Sequence, residues 1–115
     1  MTLVSERLSA GQFLEALRHV LRFREQPLVG DPLASAVERI EANPAFTQSR
    51  LLTRILVALT YQEGDFRRAE IAALDAETCS MVITLMDAFT SGTSTRTAWE
   101  AAVASARAAE LGAGR

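Results

Sequence analysis

A six-residue motif that occurs twice constrains the fold of this chain more than any other feature. Residues 11–16 and 64–69 both follow the pattern Gly-x-aromatic-x-x-Ala. The glycine can end a helix in a left-handed conformation at little steric cost. The aromatic ring, two positions later, can fill the space between two helices, and the alanine one turn further on lets their backbones approach. We therefore predict that each motif forms the tight connection of a helical hairpin.

Apolar residues recur at helical spacing along most of the chain, and no segment alternates convincingly with a period of two. The pattern predicts seven helices, over residues 2–10, 12–24, 32–42, 47–62, 66–74, 78–90 and 95–111. Asp31 and Pro32 favour a helix start, and Thr78 is a plausible N-terminal cap of the sixth helix. With the two hairpin motifs, this predicts an all-α fold, a TPR-like stack of helical hairpins.

Length and composition indicate one domain that spans residues 1–115, with an irregular insertion at 25–46 and a frayed tail at 112–115. The formal net charge of −2 does not favour nucleic acid as a partner. A single cysteine, Cys79, excludes an internal disulfide and fits a reducing compartment. No apolar run of 18 residues indicates a membrane span.

The residue types that usually carry catalysis are sparse. His19 is the only histidine, and a structural or solvent-facing role suits it best. Cys79 lies near the predicted start of a helix, which could activate a thiol, but its apolar neighbours favour a buried, inert side chain. The chain has no phosphate-binding glycine loop, HExxH or CxxC motif. We expect no enzymatic activity, metal site or cofactor.

The predicted helix 78–90 carries more apolar surface than one core contact needs. Ser80, Thr84, Asp87 and Ser91 form a narrow polar stripe, and nearly all other positions are apolar. The helix is either sandwiched in the core, or one flank lines a groove for a partner helix. In the second interpretation, the groove lies between helices 47–62 and 78–90, and its walls are Leu52, Ile55, Leu59, Met81, Leu85 and Met86. Two of the six are methionines, whose flexible side chains adapt to varied guests.

The segment from Ser49 to Arg107 resembles the TPR-like chaperones of type III secretion needle subunits. The shared features are the run 51–54, Ala58-Leu59, the motif at 64–69, an apolar helix at 83–89 and the turn Ser91-Gly92. The resemblance implies a cytoplasmic chaperone without enzymatic activity. Its groove would hold the amphipathic C-terminal helix of the needle subunit, often together with a small helical co-chaperone.

Two classes of function follow from these observations. The first is a polypeptide-binding chaperone or adaptor that holds an amphipathic helix of another protein. The alternative is a structural or homodimerising helical protein, because a wide apolar arc also serves self-association.

Overall fold

The structure is a computed structural model that describes residues 6–21 and 31–113. It is predominantly helical, as predicted. In chain order its elements are β1 (Arg7–Ser9), α1 (Ala10–Leu21), α2 (Pro32–Ala42), α3 (Thr47–Tyr61), β2 (Asp65–Arg67), α4 (Ala69–Ala72), α5 (Ala76–Ser91) and α6 (Arg96–Ala113). The described residues thus contain six helices and one small antiparallel sheet, where the sequence pattern predicts seven helices and no strand.

Helix α3 lies at the centre of the fold and packs against α1, α2, α5 and α6. Helix α2 packs against α3, α5 and α6, and it buries Leu33, Ala36 and Ile40. The segment predicted as an irregular insertion at 25–46 therefore contains a helix of the core; residues 25–30 lie outside the described part. The last helix packs mainly on α2 and α3 rather than on α5, which precedes it.

Two aspartates cap the helices that follow them. The Asp31 carboxylate accepts a hydrogen bond from the Leu33 backbone N–H at 3.0 Å, with Pro32 at the first helical position, as predicted. The Asp75 carboxylate accepts one from the Thr78 N–H at 2.7 Å. The prediction that Thr78 caps this helix is wrong, because Asp75 takes that role and α5 begins at Ala76.

The first glycine motif does not form a helical connection. Ser9 and Gln12 make a reciprocal capping box, in which each side-chain oxygen accepts the other residue's backbone N–H, at 3.2 and 3.0 Å. Helix α1 therefore begins at Ala10, and Gly11 lies inside its first turn. Residues 7–9 of the predicted first helix form β1 instead. Residues 2–5 and 22–24 of the predicted helices lie outside the described part of the chain.

The second motif ends a helical region but opens a strand. Gly64 has a φ of +129°, and Gln62 takes the left-handed position at the end of α3. The next three residues form β2, which pairs with β1 in the register Leu8 to Phe66. Only one turn of the predicted helix 66–74 is present, as α4. Long-range pairing with Arg7–Ser9 therefore replaces the local helical hairpin.

The phenylalanines of the two motifs pack against each other. The rings of Phe13 and Phe66 stack with centroids 3.8 Å apart and an interplanar angle of 13°, and both side chains are buried. The guanidinium of Arg54 lies 4.7 Å from the centroid of the Phe66 ring. This stack joins α1, β2 and α3, so the repeated aromatic residue is structural, although it does not fill a hairpin of neighbouring helices.

Arg54 and Glu70 fix the backbone of the small sheet. The Arg54 guanidinium donates to the Asp65 carbonyl and pairs with the Glu70 carboxylate. Glu70 also accepts the Arg67 backbone N–H at 2.7 Å. Partial burial alone raises the pKa of the Glu70 carboxyl, but the hydrogen bonds from Arg54 and Arg67 outweigh it, so the net pKa is lowered. The ion pair therefore holds the strand more firmly when Glu70 is charged.

Candidate functional site

The six side chains predicted to line a partner groove all lie in the hydrophobic core. Leu52, Ile55 and Leu85 are completely buried, and the other three, Leu59, Met81 and Met86, are at most 7% exposed. Helix α5 packs against α1, α2 and α3, which cover its wide apolar arc. Helix α5 is therefore sandwiched in the core, and the six residues line no open groove between α3 and α5. A helical wheel shows how wide an apolar arc is, but not how many neighbours cover it.

An open cleft lies elsewhere, where α1 and β1 face α4 and the beginning of α5. Its volume is about 710 Å³, which is within the usual range of ligand-binding pockets, roughly 300–1,000 Å³. The side chains around it are Leu8, Gln12, Glu15, Ala16, His19, Arg68, Ile71, Ala72, Leu74 and Cys79. The sequence pattern does not predict this site, because its two main walls come from residues 8–19 and 68–79, which are far apart in the chain.

The cleft has an apolar floor and a polar rim. Leu8, Leu74 and Cys79 are buried at its base, whereas Ala16 and Ile71 are half-buried on its walls. The polar lining residues are Gln12, Glu15, His19 and Arg68, and all of them are exposed. Such a cleft is suited to a ligand whose apolar group packs on the floor and whose neighbouring polar atoms contact the rim.

Hydrogen bonds from other elements hold the wall formed by α4. On one side, Gln48 on α3 donates to the Ala73 carbonyl at 2.8 Å and accepts the Asp75 N–H at 3.0 Å. On the other side, the Glu6 carboxylate accepts the Ala69 N–H at 3.2 Å. A helix of only four residues needs such support, since it satisfies few of its own backbone groups. The cleft is therefore largely preformed.

Cys79 and His19, which the sequence gives no reason to connect, both line this cleft. Cys79 is 5% exposed, and its thiol donates to the Leu74 carbonyl at 3.8 Å. His19 is exposed on the last turns of α1. The thiol therefore contributes mainly apolar surface to the floor, while the imidazole belongs to the rim.

A second, smaller pocket lies at one end of the helical bundle. Its volume is about 170 Å³, and it is lined by Thr60, Phe89, Ser94, Arg96 and Trp99. The rings of Phe89 and Trp99 meet edge to face, with centroids 5.5 Å apart and an interplanar angle of 84°. It shares no lining residue with the larger cleft, so the two concave sites are separate.

The chain matches no protein-family model, and neither the curated proteins nor the solved structures include a significantly similar one. Within residues 6–21 and 31–113, no three histidine, cysteine, aspartate or glutamate side chains cluster so that they could hold a metal ion. None of the helices in the described ranges combines the length and the apolar character that crossing a bilayer requires.

Proposed function

We propose that this protein is a polypeptide-binding adaptor or chaperone, and that the cleft between α1 and α4 receives apolar side chains of its partner. The observation that carries the proposal is the preformed cleft of about 710 Å³, with Leu8, Leu74 and Cys79 at its floor. Burial of apolar partner surface contributes roughly 25 cal/mol per Å² before the cost of ordering the partner. The polar rim orients the partner's backbone and flanking groups.

The exposed surface beside the cleft is also favourable for docking. Ala69, Ala72 and Ala73 are exposed on and after α4, next to the half-buried Ile71. Small apolar side chains let another backbone approach closely, and they lose no side-chain entropy on binding. A partner segment anchored in the cleft would extend over these alanines.

Within this class, the narrower proposal is that the protein is a chaperone of a type III secretion needle subunit and acts in the cytoplasm. It rests on the sequence resemblance of residues 49–107. The expected guest is the amphipathic C-terminal helix of the needle subunit, with a small co-chaperone beside it. Coexpression with a needle subunit tests this form: a stable complex on gel filtration supports it, and no complex refutes it while leaving the broader class open.

Peptide selection tests the broader proposal. A displayed library of random peptides is selected on the protein, and the dissociation constant of the best peptide is measured by calorimetry. The variant Ala72→Glu places a charge on the cleft wall at an exposed position, and Ala101→Glu is the matched control on the exposed face of α6. We expect Ala72→Glu to weaken binding about ten-fold or more, because it buries an unpaired charge. Equal affinities in the two variants would refute the assignment.

The second candidate is a homodimer without a separate partner. The large apolar side chains that such a dimer would bury include Phe46, which is 62% exposed, and Leu111, which is 69% exposed. Light scattering over a concentration series tests it. A dimer that Phe46→Ser or Leu111→Ser converts to a monomer supports self-association, and a monomer at all concentrations excludes it.

A further inference from the structure

Helix α6 has an exposed outer face that is largely apolar. Its inner face packs on the core through buried side chains, which are Trp99, Ala102, Val103 and Ala106. On the opposite side, exposed residues recur at alternating spacings of four and three positions, and we call them the α6 seam: Thr97, Ala101, Ala104, Ala108 and Leu111. This spacing averages 3.5 residues, which is that of the contact positions in a coiled coil. The seam therefore has the geometry to pack along another helix.

The composition of the seam suits a close but reversible contact. Its central alanines let two helix backbones approach, and they lose no side-chain entropy on binding. Leu111, which is 69% exposed, adds a large apolar side chain at one end. From Thr97 to Leu111 the seam is about 21 Å long, at 1.5 Å per residue. A contact of this length belongs to the small interfaces, which are typical of transient rather than permanent complexes.

Two charged residues beside the seam indicate what packs on it and in which direction. Glu100 and Arg107 are exposed and flank the seam on the same side, each one position before a seam alanine. In an antiparallel pair of α6 helices in which Ala101 of one copy faces Ala104 of the other, Glu100 of each copy lies opposite Arg107 of the other. In a parallel pair, the residues opposite these charges are the uncharged Ser105 and Gly112. Charge complementarity therefore favours a second copy in the antiparallel direction.

Both charges are available for such pairing. Arg107 makes no ion pair with any other residue in the ranges 6–21 and 31–113. Glu100 pairs with Arg96 of its own helix at 3.6 Å, and both side chains stay exposed. Because a two-fold axis repeats every contact, each dimer would contain the Glu100–Arg107 pair twice.

We propose that the outer face of α6 is a self-association surface, on which the α6 helix of a second copy of this chain packs antiparallel. The inference rests on the second candidate function, self-association, and adds its surface and direction. The α6 seam shares no residue with the lining of the cleft, so dimerisation and polypeptide binding are separate events.

Sedimentation velocity of the whole chain over a concentration series tests the surface. We expect the dimer fraction of the wild type to rise with concentration. Ala101→Glu places a charge in the seam and should weaken dimerisation about ten-fold or more, because the dimer would bury this charge without a partner. Ala72→Glu, at an exposed alanine on the cleft wall, is the matched control and should dimerise like the wild type. Circular dichroism checks that both variants keep the fold.

Charge reversal tests the direction. Glu100→Arg and Arg107→Glu each place like charges opposite each other in an antiparallel homodimer, so each should dimerise about ten-fold more weakly. An equimolar mixture of these two variants should form a heterodimer tighter than either homodimer, because opposite charges then face each other twice. Glu100→Arg also removes the local pair with Arg96, and mixing does not restore that pair, so the recovery reports only on contacts between the copies.

The outcomes separate this inference from the function on which it rests. A dimer that Ala101→Glu leaves unchanged keeps self-association but refutes the α6 surface. A mixture that associates no more tightly than the single charge variants refutes the antiparallel pairing. A monomer at all concentrations refutes both the inference and the second candidate function, and it leaves the polypeptide cleft untouched.

Discussion

The stacked pair Phe13 and Phe66 offers a quantitative test of how the repeated motif stabilises the fold. Both rings are buried, and their centroids are 3.8 Å apart in a nearly parallel arrangement. Truncation of a buried phenylalanine to alanine costs roughly 3–5 kcal/mol. Since small domains have total stabilities of about 5–15 kcal/mol, either alanine variant could unfold a large fraction of the protein. Leucine is the better probe, because it keeps most of the volume.

We expect Phe13→Leu and Phe66→Leu each to lower the free energy of unfolding by about 1 kcal/mol, since swaps that nearly conserve volume usually cost less than ~1.5 kcal/mol. The double variant should lose less than the sum of the two. The difference, about 0.5–1.5 kcal/mol, is the coupling that aromatic pairs show beyond area burial. If the two losses in the free energy of unfolding simply added, the contact between the rings would contribute no stability beyond the burial of each ring.

Urea denaturation followed by circular dichroism measures these free energies, and the slopes with urea must agree among the variants. Phe46→Leu is the matched control, because this phenylalanine is 62% exposed and should change stability by less than about 0.5 kcal/mol. A coupling energy below about 0.3 kcal/mol, the error of additivity for independent sites, would refute the argument that the rings stabilise each other.

Further predictions concern the turn, the cap and the sheet. Gly64→Ala should cost about 1–2 kcal/mol and exceed Gly92→Ala in thermal melts, because both have positive φ but only the Cβ at 64 would approach Phe66, at 3.1 Å. Asp75→Ala should cost about 1 kcal/mol in urea melts, since α5 loses its cap. The pKa of Glu70 is lowered below its ordinary value of 4.5, so its stabilising ionisation is complete above that pH and is lost as the pH falls through the native pKa. The stability difference between wild type and Glu70→Gln should therefore shrink between pH 7 and pH 3, and a constant difference would contradict this.

The helices with strong local signals were predictable from the sequence. Asp31-Pro32 marks the beginning of α2, and the bounds of α3, α5 and α6 differ by only one or two residues from the predicted ones. Apolar periodicity and capping act within a few residues, so a single sequence contains the information for them. The predominantly helical fold follows from the same local signals.

The sheet and the site depend on contacts between distant residues. Arg7–Ser9 pairs with Asp65–Arg67 across 58 positions, and a three-residue strand is too short to show a period of two. The Ser9-x-x-Gln12 capping box was a readable signal that would have moved the start of α1 to Ala10. No comparable signal shows that α1 and α4 face each other across a cleft.

We propose that a polypeptide binds at the cleft rather than at the core positions predicted from the sequence. Methyl-labelled nuclear magnetic resonance with the selected peptide tests it most directly. Ile71 lines the cleft, whereas Met81 and Met86 are buried in the core, so their methyl groups report on the two alternatives. We predict intermolecular Overhauser effects between the peptide and the Ile71 methyl groups, and none with the two methionines. Contacts with Met81 and Met86 but not with Ile71 would contradict binding at the cleft and indicate a groove between α3 and α5 instead.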